Sequence, residues 1–105
     1  MQKISFTERV LTIVRKIPKG KTLSYGQVAN AAGYPGAARA VGTLMAGNHD
    51  KTVPCHRVIR ADGRVGEYNG GGPEAKLKRL RAEGVKMSGQ LVISSKKYEK
   101  SASTI

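Results

Sequence analysis

The chain has 105 residues, the size of one ordinary domain, which excludes a large multidomain enzyme and points to one principal site. Hydrophobic residues at 39% allow a modest core, although a domain this short buries only roughly 60–65% of its unfolded surface. Nineteen Lys and Arg against seven Asp and Glu leave a net charge of +12, a density that repels itself and attracts polyanions.

Ser5-Phe6-Thr7-Glu8 reads as a capping box, and Phe6, Val10, Ile13, Val14 and Ile17 recur at helical spacing until Pro18 and Gly20 stop the pattern. The N-terminus enters this amphipathic helix without a signal-peptide stretch, and no run reaches the roughly 18 apolar residues of a membrane span. The expectation is a soluble intracellular protein. Ser24-Tyr25-Gly26-Gln27 repeats the capping logic and opens a short helix through Ala32, closed by Gly33. Pro35 suits the first turn of a third helix over residues 36–46. Two short helices around a tight glycine turn are the layout of a helix-turn-helix, whose second helix meets DNA. At about 100° per residue, Val41, Leu44 and Met45 face the core while Arg39 lies opposite them. The small neighbours Ala37, Ala38, Ala40 and Gly42 would let this helix approach a groove closely. An alanine-rich packing helix with one solvated arginine accounts for the same residues.

β-Branched content rises over residues 52–59, and Ala61-Asp62-Gly63 is a turn signal ahead of residues 64–68, which predicts a small hairpin or wing. Asn69-Gly70-Gly71-Gly72-Pro73 reads as a mobile loop, followed by a last helix over residues 73–83 with Leu77 and Leu80 inward and Gly84 ending it. Leu91-Val92-Ile93 predicts a short edge strand, and residues 96–105 a basic, frayed tail. The fold class is mainly α: a winged helix-turn-helix resembling a three-helix bundle, with a small β hairpin and an additional C-terminal helix. One domain is expected over residues 1–95, with residues 96–105 outside it and no internal repeat.

Basic residues are spread along the chain, from Arg9 and Arg15 to Arg79 and Arg81, so the folded body itself must be positive. Phosphate binding and a generic solubilising surface both fit that spread. Cys55 is the single cysteine, which leaves no disulfide, Cys-x-x-Cys pair or resolving thiol within the chain. With His49 and His56 it lacks the number and spacing of a zinc site, so no metal is expected. In Pro54-Cys55-His56-Arg57-Val58 a thiol stands beside an imidazole and an arginine. A free thiol is only a few per cent thiolate at neutral pH, and His56 and Arg57 could supply the base and the positive surroundings a nucleophile needs. A buried structural cysteine next to a surface histidine is the other reading. Glu83 sits at a helix C-terminus, where the macrodipole favours a cation, so local helix physics does not ask for a carboxylate there. Paired with a histidine it would complete a Cys-His-Glu relay; solvated, it would do nothing. Gly47-Asn48 is a turn pair under either reading. Gly20-Lys21-Thr22 fails as a phosphate-binding loop because Arg15 stands where that motif needs glycine, and Gly70 to Gly72 lack the G-x-G-x-x-G spacing.

Pro54-Cys55-His56-Arg57-Val58-Ile59, with residues 37–42, Gly47-Asn48, residues 66–71 and Glu83-Gly84 in order around it, resembles the O6-alkylguanine-DNA alkyltransferases over roughly residues 5–85. The resemblance implies a winged helix-turn-helix in the minor groove of duplex DNA containing O6-alkylguanine, with the damaged guanine flipped out because its alkylated oxygen cannot reach a thiolate while stacked. It implies Arg39 as the finger filling the gap, Tyr25 as the group that rotates the phosphate, and Ala38, Ala40, Gly42 and Thr43 as the DNA-facing helix residues. It also implies Cys55 as alkyl acceptor, His56 as water-mediated base, Glu83 as its partner and Asn48 as holder of the turn. Tyr68, Asn69, Val58 and Met45 would line the guanine pocket. A monomer acting once, without cofactor, metal or membrane, follows from the same resemblance. Its place would be the cytoplasm and nucleoid of a prokaryote or the nucleus of a eukaryote. The family's N-terminal domain is absent from these residues, Asn69 stands where many relatives have serine, and the glycine loop is one residue longer. The related alkyltransferase-like proteins bind such lesions without repair and recruit excision-repair proteins. They usually carry tryptophan at the acceptor position, where this chain has Cys55 and no Trp anywhere.

Overall fold

The computed structural model describes residues 5–50, 52–66, 68, 71–89, 91–94 and 96–97. Helix α1 (Phe6–Arg15) starts where Ser5 Oγ accepts from the Glu8 amide at 3.1 Å, and it buries Val10 and Val14 completely. Strand β1 (Lys21–Ser24) follows and leads directly into helix α2 (Tyr25–Ala31). Both halves of a capping box close that junction: Ser24 Oγ accepts from the Gln27 amide at 3.1 Å, and Gln27 Oε1 accepts from the Ser24 amide at 2.8 Å. α2 ends in a Schellman turn, with Gly33 at φ +90°, its amide on the Asn30 carbonyl and the Tyr34 amide on the Ala29 carbonyl. Helix α3 (Ala38–Gly47) packs on α2 to complete the helix-turn-helix.

α3 begins two residues later than the sequence suggests, and Pro35 lies in the turn before it. Gly36 adopts φ +89°, outside the helical region, so the helix can start only beyond it. Val41 and Met45 face the core as expected and Arg39 is exposed.

The expected extended run over residues 52–59 shrinks to strand β2 (Val58–Ile59), because Pro54 to Arg57 close into a 3-10 turn with the Arg57 amide on the Pro54 carbonyl at 3.0 Å. β2 and strand β5 (Lys96–Lys97) flank β1 in a parallel sheet of order β2-β1-β5, with Leu23 opposite Val58 and Lys21 opposite Lys96. The two residues expected to open the tail are therefore paired, and residues 98–105 lie outside the described part. The antiparallel hairpin also falls elsewhere: it joins strands β3 (Lys86–Ser88) and β4 (Leu91–Ser94), while the Ala61-Asp62-Gly63 turn is closed by the Arg60 amide on the Arg64 carbonyl at 2.9 Å and carries an isolated bridge from Arg64 to Leu91. Val65 is fully buried and packs with Ile59, Leu80 and Val85.

Helix α4 (Gly72–Ala82) runs one residue ahead of its expected span and turns Lys76 and Leu80 inward, leaving Leu77 only half-buried. Two apolar clusters result, one joining α1, α2, α3 and the parallel sheet, the other formed by Ile59, Val65, Leu80 and Val85. Among the described residues no helix is long and apolar enough to cross a membrane.

Candidate active site

Cys55 opens the 3-10 turn Cys55–Arg57 at the edge of the first apolar cluster, of which it is a member, and lines two cavities. One, about 960 Å³, lies under the helix-turn-helix and is lined by Tyr25, Arg39, Gly42, Met45, Cys55 and Tyr68 among others. The second, about 650 Å³, is lined by Asn48, Cys55, His56, Arg57, Tyr68 and Glu83 among others.

Helix α3 delivers the first partner of the thiol. It stops at Gly47, Asn48 takes an extended conformation as the cap, and its Nδ2 donates to Cys55 Sγ at 3.2 Å and to the Asp50 carbonyl at 3.4 Å. Cys55 is buried, and burial pushes its thiol up. The Asn48 hydrogen bond and the charge of Lys76 work against that, while Asp50 adds to it.

Helix α4 delivers the second set. Its C-cap residue is Glu83, followed by Gly84 at φ +95°; the Gly84 amide donates to the Arg81 carbonyl and the Val85 amide to the Leu80 carbonyl, both at 3.0 Å. That Schellman turn buries Val85 against Leu80 and holds Glu83 over the Cys55 turn. Glu83 Oε2 lies 2.8 Å from His56 Nε2, and Arg57 donates to both carboxylate oxygens, Nε to Oε1 at 2.9 Å and Nη2 to Oε2 at 2.8 Å. Burial alone would raise the Glu83 carboxyl, but the hydrogen bonds from Arg57 and His56 outweigh it and hold the pKa at about 2. An ionised carboxylate only accepts, so His56 carries its proton on Nε2 and leaves Nδ1 bare as a base. Burial lowers the His56 pKa against the pull of Glu83, which keeps the ring neutral at neutral pH.

Arg57 does not do what its place beside Cys55 suggests. It is spent on Glu83 and, through Nη1, on the Ile17 carbonyl at 2.6 Å, so it braces the carboxylate instead of charging the thiol. Val58 is a second correction: it is fully buried in β2 opposite Leu23 and lines neither cavity, because a two-residue parallel strand points it into the core. Ala38, Arg39, Gly42, Thr43 and Met45 do line the first cavity, whereas Ala40 is exposed outside it. Thr43 Oγ1 donates to the Arg39 carbonyl at 3.1 Å. Tyr68 borders both cavities and its Oη accepts from Arg79 Nη1 at 2.8 Å, while Asn69 lies outside the described residues. Sequence reasoning missed Arg79 and Lys76. A signal for Lys76 existed, since residues 76, 80 and 83 share one helical face.

Gly84 carries a testable consequence. A Cβ there meets no heavy atom within 4 Å, so Gly84→Ala costs only the left-handed backbone, about 1–2 kcal/mol, read as a lower denaturant midpoint with an unchanged slope.

A family model described as 6-O-methylguanine DNA methyltransferase, DNA binding domain, matches residues 5–85. A methylated-DNA--protein-cysteine methyltransferase of Mus musculus is 49% identical over 86 residues, covering 80% of this chain and 41% of that protein. One of Methanothermobacter thermautotrophicus is 47% identical over 88 residues, covering 81% and 47%. The chain thus spans less than half the length of either relative. Among solved structures it is similar to S. pombe Atl1 in complex with damaged DNA containing O6-carboxymethylguanine, with TM-score 0.72, 36% identity and coverage of 84% of this chain and 83% of that one. It is also similar to Mycobacterium tuberculosis OGT in complex with DNA, with TM-score 0.71, 43% identity and coverage of 78% and 51%. The helix-turn-helix, Asn48, the Cys55 turn and Glu83 all fall inside the matched residues, and the chain belongs to the 6-O-methylguanine DNA methyltransferase family through its DNA-binding domain.

Proposed function

We propose that this chain binds duplex DNA through α3 and moves an alkyl group from O6 of an extrahelical guanine onto Cys55 Sγ. The observation that carries the reading is the Cys55 turn, held by Asn48 on one side and by the His56–Glu83 pair on the other, at the floor of the cavity under the helix-turn-helix. His56 Nδ1 takes the thiol proton across one water molecule, Sγ attacks the alkyl carbon, the S–C bond forms and the C–O6 bond breaks. The electron pair stays on the guanine ring, which takes one proton from solvent while the His56 imidazolium returns its own to solvent, and the base is left in its strand as ordinary guanine. The product is a thioether, whose C–S bond neither thiol exchange nor reduction reverses as it would a disulfide, so each molecule acts once. Arg39, exposed on α3 at the rim of the cavity, enters the duplex from the minor groove, and Tyr25 turns the phosphate of the flipped nucleotide.

Intact-mass and peptide analysis after incubation with a duplex containing O6-methylguanine is the test. The expected result is one methyl on Cys55 with equimolar loss of the lesion; a folded protein in excess that leaves Cys55 unmodified overturns the reading. A second reading, lesion recognition without transfer, is favoured by the match to S. pombe Atl1 over 83% of that chain. It predicts tight lesion binding with the lesion intact, which the same experiment distinguishes.

A further inference from the structure

Asp50 has no part in the steps above, and its charge is the wrong one for its place. It lines the second cavity together with Cys55, and a carboxylate near a sulfur that must become an anion works against that anion. What it does hold is the turn between α3 and Cys55. Its Oδ1 accepts from the Thr52 amide at 2.9 Å and from Thr52 Oγ1 at 2.7 Å, while Oδ2 accepts at 3.2 Å from Nη2 of Arg15, the last residue of α1. The Thr52 hydrogen bonds hold the Asp50 carboxyl below its ordinary range, so it is ionised at neutral pH. The Asp50 carbonyl then accepts from the Val53 amide at 3.0 Å, and the Val53 carbonyl accepts from the Cys55 amide at 2.8 Å. That same Asp50 carbonyl takes one N–H of Asn48 Nδ2, whose other N–H meets Cys55 Sγ.

We propose that Asp50 is a positioning residue of the acceptor turn: its carboxylate locks the backbone so that Asn48 presents N–H, and not its amide oxygen, to Cys55 Sγ. The inference rests on Cys55 being the acceptor. An amide side chain has a donor end and an acceptor end of nearly equal size, so shape does not decide which one meets the sulfur. The Asp50 carbonyl decides, because it is itself an acceptor and only Nδ2 satisfies it. A donor on Sγ steadies the attacking anion, whereas an oxygen in its place repels it. The Arg15 contact is an exposed ion pair, with both side chains 44% accessible, so it adds little stability and serves to anchor the turn to α1. The Thr52 contacts need a short side chain, since an aspartate oxygen reaches the amide two residues on and a glutamate oxygen overshoots it.

Carbamidomethylation of Cys55 by iodoacetamide, followed by mass spectrometry between about pH 6 and pH 10, reads the thiolate directly, because the reagent needs the anion and the chain has one thiol. Lys76, His56, Tyr68 and Arg79 around the sulfur are the same in every variant. Asp50→Ala removes a negative charge, which by itself would lower the rate midpoint. The proposal requires the opposite, a rise of about one pH unit and a reaction about tenfold slower at neutral pH, because Asn48 is released. Asp50→Asn keeps an oxygen for Thr52 and should stay at the wild-type midpoint or below it. Asp50→Glu keeps the charge but loses the turn, so it should follow the alanine variant, and it stands in for that variant should alanine lose helical circular dichroism. In an Asn48→Ala background, Asp50→Ala should no longer raise the midpoint. A midpoint at or below wild type in the alanine variant, or in the glutamate variant standing for it, overturns the proposal. So does a rise in Asp50→Asn, or a rise that survives the removal of Asn48. No DNA is present, so failure here is separate from failure of the transfer reading, which the lesion-duplex experiment decides.

Discussion

Glu83→Gln should slow alkyl transfer by about a hundredfold or more and cost about 3 kcal/mol of stability, because one carboxylate serves both the base and the fold. The glutamine keeps the shape but no longer fixes the proton on His56 Nε2. Its amide group can present N–H to the ring and reverse the tautomer, taking away the bare Nδ1. Arg57 meanwhile keeps its charge beside a neutral partner. Single-turnover rates on an O6-methylguanine duplex check the first effect and urea unfolding the second.

The pH dependence separates the two further. Glu83 titrates at about 2 in the folded protein and near the ordinary carboxylate value when unfolded, so its contribution is complete above about pH 4.5 and is lost as pH falls toward 2. His56, lowered by burial, acts in the same direction from higher pH: the unfolded chain binds its proton first, and stability falls once pH drops below about 6.5. Wild type should lose stability in both ranges, whereas Glu83→Gln should lack the lower one. A variant whose unfolding free energy tracks wild type between about pH 4.5 and 2 would contradict the assignment.

Arg39→Ala should weaken binding to a lesion duplex by about 1–3 kcal/mol while changing affinity for undamaged duplex far less. The arginine is exposed on α3 at the rim of the first cavity, so it is placed to occupy the space a flipped base vacates. The remaining basic surface, part of a net charge of +12, still neutralises phosphates and holds non-specific affinity. Titrations on matched duplexes with and without O6-methylguanine, at two salt concentrations, read the difference. Equal losses on both duplexes would reduce Arg39 to one more phosphate contact.

Local rules made much of the scaffold legible. Ser5, Ser24 and Gln27 mark helix starts by hydrogen bonds within one turn, Gly33 and Gly84 mark helix ends by φ values that other residues avoid, and the 3.6-residue period exposes the inward faces of α1 and α3. The same rules failed at the strands. β1, β2 and β5 have four, two and two residues, too few for an alternating pattern, and they pair across separations that no local signal encodes. The hairpin was expected at a turn whose flanking Val65 is fully buried, and it forms instead between β3 and β4.

The site divides along the same line. By itself the order of residues offered Cys55 as candidate nucleophile with His56 as candidate base, since Cys55 is the single thiol and His56 adjoins it, and it placed Arg39 on the outer face of the second helix of a helix-turn-helix. Only the tertiary structure decided that Glu83 meets His56 across 27 positions, that Arg57 turns to that carboxylate instead of the thiol, that Val58 belongs to the core, and that Lys76 is buried beside Tyr25. The physical reason is that a side chain's chemistry is fixed by its type, whereas its charge state and its partner are set by burial and by whichever element packs against it.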